Sequence, residues 1–259
     1  MIRSYKCVDN PSRAINKETY TNPKLMAEFA KAGRYISLPI LPIISVCLGV
    51  KFENGIKAVP IFEKIEEIDL QMDYENQAYK TMVKALEILD PAKTVIEIRG
   101  PLATLDNLVE LTKVMRAMKK KREILNDLYD KLSDIYIDFI KKMLEKGVKV
   151  FSFSESILDP KVLGKKEIAR YVDDFLEKFL KKVLLLEKNN EFTFHLCPKS
   201  TFAIVDLDKA YFEEIKLENP KKYIDILFSE HSLMGDRCIN LADKSFDKVN
   251  KIKIGRNNA

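Results

Sequence analysis

Apolar residues run through the chain in two rhythms, one alternating like a strand and one spaced like a helix face. Residues 36–46 (ISLPILPIISV) form an apolar run with breakers, which predicts a buried strand and the loop leaving it. Residues 58–70 hold a short strand and the start of a helix. Across 76–89, Met82, Val83, Leu86 and Leu89 make a helical stripe. Residues 94–98 (TVIEI) alternate as a strand and stop at Arg99-Gly100-Pro101. A long helical region follows over 107–146, broken near the run Lys119-Lys120-Lys121-Arg122 and closed by Gly147. Residues 148–153 (VKVFSF) read as the next strand, 168–186 as an amphipathic helix, and 192–196 (FTFHL) as a strand ending at Cys197-Pro198. Beyond it the pattern predicts a helix over 207–217, a break at Pro220 and a helical stretch over 223–228. A strand at 238–241 (CINL) and a short terminal helix with Phe246 and Val249 complete the reading.

Strand–helix alternation along the whole chain favours a parallel sheet with right-handed crossovers. The spacing predicts an α/β fold of the (β/α)8 TIM-barrel type, complete or else incomplete and irregular, since six or seven strands can be counted. A doubly wound open sheet is the alternative. One domain is expected over 1–259, with residues 1–33 as an N-terminal arm and helix, because no linker or low-complexity block divides the sequence. Both architectures put chemistry at the carboxyl ends of strands, which singles out Arg99, Glu155, His195 and Cys197.

Composition narrows the class. Apolar residues make up 46% and charged residues 32%, an ordinary globular balance. The net charge of +5 is small against 44 basic and 39 acidic residues, so neither nucleic acid nor a membrane is expected as a partner. The basic run reads as a solvated surface. The N-terminus has no apolar signal core, and the longest apolar stretch is too short and too interrupted to span a bilayer. Four cysteines without a dense framework suggest a reducing compartment, so a cytoplasmic location is expected; the oligomeric state stays open.

His195-Leu196-Cys197 is the strongest local signal. Positions two apart on a strand point to the same side, so imidazole and thiol can share one ligand. A further thiolate would make a Cys2His set with one open position, the catalytic arrangement for zinc. Cys238 is the cysteine that follows the pair; Cys7 and Cys47 lie far upstream. Glu155 could be a base, an orienting group, a ligand or the cap of a helix N-terminus. Arg99 could hold a carboxylate, a sulfonate or a corrinoid side chain, or else form an internal salt bridge. His231 reads as a surface histidine, and Tyr74 and Tyr79 as packing residues.

Several segments resemble, in order, the uroporphyrinogen decarboxylase-like superfamily, specifically its zinc-dependent corrinoid and thiol methyltransferase branch. They are IRGPLATLDNLVEL, LNDLYDKLSDIYIDFIKKMLEKGVKVFSFSES, FTFHLCPKST and GDRCINLADKSFDKVNKI, spanning about residues 30 to 250. The HxC element is the specific one. The resemblance implies methyl transfer between a corrinoid, as methyl donor or acceptor on a partner corrinoid protein, and a small thiol such as coenzyme M or homocysteine. It also implies Zn2+ held by His195, Cys197 and Cys238. The chain departs from the family in being shorter, in the gap of 41 positions from Cys197 to Cys238, and in Pro198-Lys199 where a glycine is usual. Glu230 and Glu155 are the alternative third ligands. A non-catalytic corrinoid-, tetrapyrrole- or partner-binding barrel and a porphyrinogen-type decarboxylase are the alternative functions.

Overall fold

The structure, a computed structural model, describes residues 2–6, 17–53 and 57–256; Cys7 lies outside them. Helix α1 (Pro23–Lys31) is capped by Asn22, whose side chain accepts from the N–H groups of Lys24 and Leu25. Strand β1 (Ser37–Pro39) passes at once into α2 (Leu41–Cys47). The buried strand expected within 36–46 is thus three residues long, and where a loop was expected to leave it the chain forms α2. Pro42 falls in the first turn of a helix, where its missing N–H leaves no bond unmade. β2 (Lys51–Glu53) and β3 (Lys57–Val59) pair as a separate antiparallel ribbon.

Helix α3 (Gln77–Leu89) follows the expected stripe, and β4 (Val95–Arg99) stops where Gly100 and Pro101 open α4 (Pro101–Leu108). α5 (Leu111–Lys120) and α6 (Arg122–Glu145) divide at Lys121, inside the basic run. There Lys121 pairs with Glu66, and Arg122 with Asp174 at 2.6 Å. Gly147, at φ 90°, turns α6 toward β5 (Val150–Ser154). α7 (Lys165–Tyr171) and α8 (Glu177–Glu187) continue through a π-helical turn at Val172–Leu176 as one amphipathic rod. β6 (Thr193–Leu196) leads to α9 (Pro198–Val205). The remainder is β7 (Ala210–Lys222), α10 (Tyr223–Ser229), β8 (Leu233–Met234) and β9 (Ser245–Ile254).

The last part corrects three expectations. The helix expected over 207–217 is strand β7, and the terminal helix with Phe246 and Val249 is strand β9; the two pair antiparallel. Ile215 and Leu217 alternate with Glu214, Lys216 and Glu218, a period of two that helix-like spacing from Tyr211 to Ile215 disguises. Pro220 is tolerated because β7 is an edge strand and the register is irregular between Lys216 and Lys221. The strand expected at 238–241 is a 3-10 turn at Ile239–Leu241, because β6 has already found its neighbour five residues earlier in Leu233–Met234.

The main sheet has the order β1-β4-β5-β6-β8-β9-β7. Its first five strands are parallel, and the β7–β9 pair adds antiparallel through the single pair Met234–Lys251. This is the expected barrel in its incomplete form. Ile96, Ile98, Phe151, Phe153, Phe194 and Leu196 face one large core built with α1 to α9. Val95, Val150 and Met234 face the other side, where Tyr223, Ile226 and Leu227 of α10 join them with Val249 of β9 in a smaller core. α10 therefore fills the lower part of the inner face, and its upper part is left open. Among the described residues no helix is long and apolar enough to cross a membrane.

Candidate active site

Strand register places polar side chains in rows across the inner face. Glu97 stands opposite Ser152, Ser152 opposite His195, and His195 opposite Met234. One step toward the strand ends Arg99 stands opposite Ser154, and Cys197 follows His195 by two. The alternation that sends Phe151, Phe153 and Phe194 into the large core thus sends serine, arginine, histidine and cysteine to the other side. These rows line a cleft of about 400 Å3 at the carboxyl ends of the strands. Cys238, Ile239 and Asn240 form its opposite wall, with Tyr35 beside them.

The cleft's polar groups differ in how firmly they are held. Tyr35 Oη donates to Glu97 Oε1 at 2.8 Å. Lys199 Nζ donates to the Ser156 carbonyl at 3.0 Å and lies 3.4 Å from Asp159. Arg99 is different: it is exposed at the end of β4, its guanidinium forms no hydrogen bond or close ion pair among the described residues, and its charge reaches Glu155 only at longer range. The internal salt bridge that its sequence position allowed is not made. A cation with open donors beside the hydroxyls of Ser154 and Ser156 is suited to an anionic group.

His195, Cys197 and Cys238 line this same cleft, and all three are buried. Their atom types suit zinc. Their arrangement does not. His195 Nδ1 lies 3.0 Å from Ser152 Oγ and Nε2 lies 2.9 Å from the Arg237 carbonyl, so both ring nitrogens are engaged by the protein. Among the described residues no three of His, Cys, Asp or Glu gather closely enough to hold a metal ion. Burial holds the imidazole neutral, its pKa pushed down to about 4 against a hydrogen bond to Arg237 that raises it.

Glu155 is not among the residues that line the cleft. It follows Ser154 by one position, so it falls on the helix-covered side with Phe151 and Phe153. Its Oε2 accepts from the Leu102 N–H at 2.9 Å, which makes it the cap of α4. Burial drives its pKa up to about 8, and the N–H groups of Leu102 and Ala103 pull the other way. Gly100 is required by this contact, since a Cβ there would collide with the carboxylate. Glu230 pairs with Lys251 at 3.4 Å and lies outside the cleft lining. His231 is half-buried with φ 45°, not a plain surface residue. Glu97, Ser152, Ser154 and Tyr35 were not singled out from sequence, although counting back by two from Arg99 reaches Glu97; Ser152 meets His195 only through the register of β5 and β6.

The fold and cleft define a class of protein: an α/β protein of unclosed barrel type with a polar site at the carboxyl ends of its parallel strands. The chain belongs to the uroporphyrinogen decarboxylase (URO-D) family, whose model matches residues 16–236. The resemblance expected from the sequence is borne out. The chain is 22% identical over 221 residues to the methylcobamide:CoM methyltransferase MtaA of Methanosarcina barkeri, covering 78% of this chain and 64% of that protein. A solved structure of a methyltransferase from Methanosarcina mazei matches with a TM-score of 0.60 at 21% identity, over 75% of this chain and 62% of that one. The chain therefore spans less than two thirds of the length of either relative.

Proposed function

We propose that the cleft carries out methyl transfer between a corrinoid on a partner protein and a small thiol that bears an anionic group. The observation that carries this reading is the free guanidinium of Arg99, beside two hydroxyls and within one cleft with two thiols. The methyltransferase relatives support the reaction class. Arg99, with Ser154 and Ser156, binds the anionic end of the acceptor and fixes its direction in the cleft. The Arg99 charge favours the bound thiol as thiolate, whereas the Lys199 charge is shared with Asp159. The thiol proton leaves to water. The sulfur supplies the electron pair of the new S–C bond, and the methyl–cobalt bond breaks with its pair remaining on the donor. The Cys2His zinc arrangement does not fit the geometry, so no step is assigned to a metal. Glu155 acts only through the loop that it caps, which carries Arg99 at its start.

Calorimetric titration with 2-mercaptoethanesulfonate tests the acceptor subsite. One site per chain is expected, weakened about 10- to 100-fold in Arg99→Ala, as for a lost charged hydrogen bond. Equal affinity in native and variant protein would contradict the assignment.

A further inference from the structure

The wall opposite the strand rows is a short crossing segment that must be fastened to the sheet. Gly235 packs so closely on the Leu196 carbonyl and on Thr201 that a Cβ there has no room. The Asp236 carboxylate accepts from Asn250 Nδ2 at 2.8 Å and pairs with Arg237. The Arg237 guanidinium lies over the Phe246 ring, 4.3 Å from its centroid. The Arg237 carbonyl points to His195 Nε2 at 2.9 Å, with Tyr223 Oη at 3.5 Å. A carbonyl can only accept, so Nε2 carries the proton and Nδ1 accepts from the Ser152 hydroxyl. The ring is held edge-on to Tyr223, with centroids 6.0 Å apart.

From this we infer that His195 is a positioning residue rather than a metal ligand. Its Nε2–H clasps Arg237 and so fixes Cys238, Ile239 and Asn240 as the far wall of the cleft. Ligation through Nε2 would remove that proton and leave the Arg237 carbonyl without this donor. Ligation through Nδ1 would displace the Ser152 hydroxyl. The HxC pattern in this chain therefore serves two separate ends, a clasp from its histidine and a cleft-lining thiol from its cysteine. The inference holds whether or not the cleft transfers methyl groups.

Long-range proton–nitrogen NMR of native protein reads the tautomer directly. Nε2–H is expected, with ring shifts unchanged by equimolar zinc chloride. An imidazole that loses its proton to zinc, with one zinc bound per chain, would overturn the inference. Amide hydrogen exchange over residues 237–241 gives the second readout. It should quicken about tenfold in His195→Ala, as for one lost hydrogen bond, and return to native in His195→Gln, whose amide can donate to the same carbonyl. Exchange that does not change in His195→Ala, or that Gln fails to restore, would equally overturn it.

Discussion

Glu155 is held mainly as the neutral acid near pH 7, because burial outweighs the two backbone N–H groups that favour its anion. Tyr129, Tyr136 and Tyr171, all buried, stand near enough that an ionised Glu155 would act on each of them. Its pKa in the fold, about 8, lies above the ordinary 4.5, so the native state binds the proton more tightly than the unfolded chain. The stability this contributes is complete below 4.5 and is lost as pH rises toward 8. Glu155→Gln should keep the cap and remove that dependence. Urea unfolding from pH 5 to 8.5 should show the native protein losing a few kcal/mol relative to the variant. Parallel pH profiles would mean that Glu155 is ionised in the fold. Its role was among those the sequence left open. Its side of the strand is readable from Phe151 and Phe153, whereas the N–H groups that it meets come from a helix 53 positions earlier.

At the scale of elements, β4, β5 and β6 were readable because each combines buried alternation with a stop at Gly, Pro or a polar residue. Their register then aligns Glu97, Ser152 and His195 without further information. The last third of the chain was less readable, since β7 and β9 alternate weakly and expose one side of each strand. β8 is only two residues long and gives no periodic signal at all. What holds that region is close packing around Gly235, which no sequence pattern reports. Gly235→Ala should cost about 1–3 kcal/mol, the usual penalty for forced overpacking, and lower the urea midpoint accordingly. A midpoint equal to that of the native protein would show that the Leu196 carbonyl and Thr201 can move aside.

For the molecule as a whole, the unclosed sheet leaves an inner face that other elements fill in part. β4, β5 and β6 supply the strand residues of the cleft, and α10, the 3-10 turn and the β7–β9 pair occupy the rest of the inner face. The inner face is thus divided into an apolar floor and a polar cleft. The Arg99, His195 and Cys197 positions at strand ends were foreseeable, because parallel α/β sheets place their sites there. Cys238 shares their cleft through a crossing turn that joins no strand, and neither its partners nor the clasp on His195 could be read from spacing.

We propose that this cleft moves a methyl group to sulfur. This is tested most directly by incubating the protein with carbon-13 methyl-labelled methylcobalamin and 2-mercaptoethanesulfonate, then weighing the thiol products by mass spectrometry. Labelled methyl thioether is expected, formed in proportion to enzyme and at a reduced rate in Arg99→Ala. Unlabelled thiol beside intact methylcobalamin, at rates no different from protein-free controls, would contradict it.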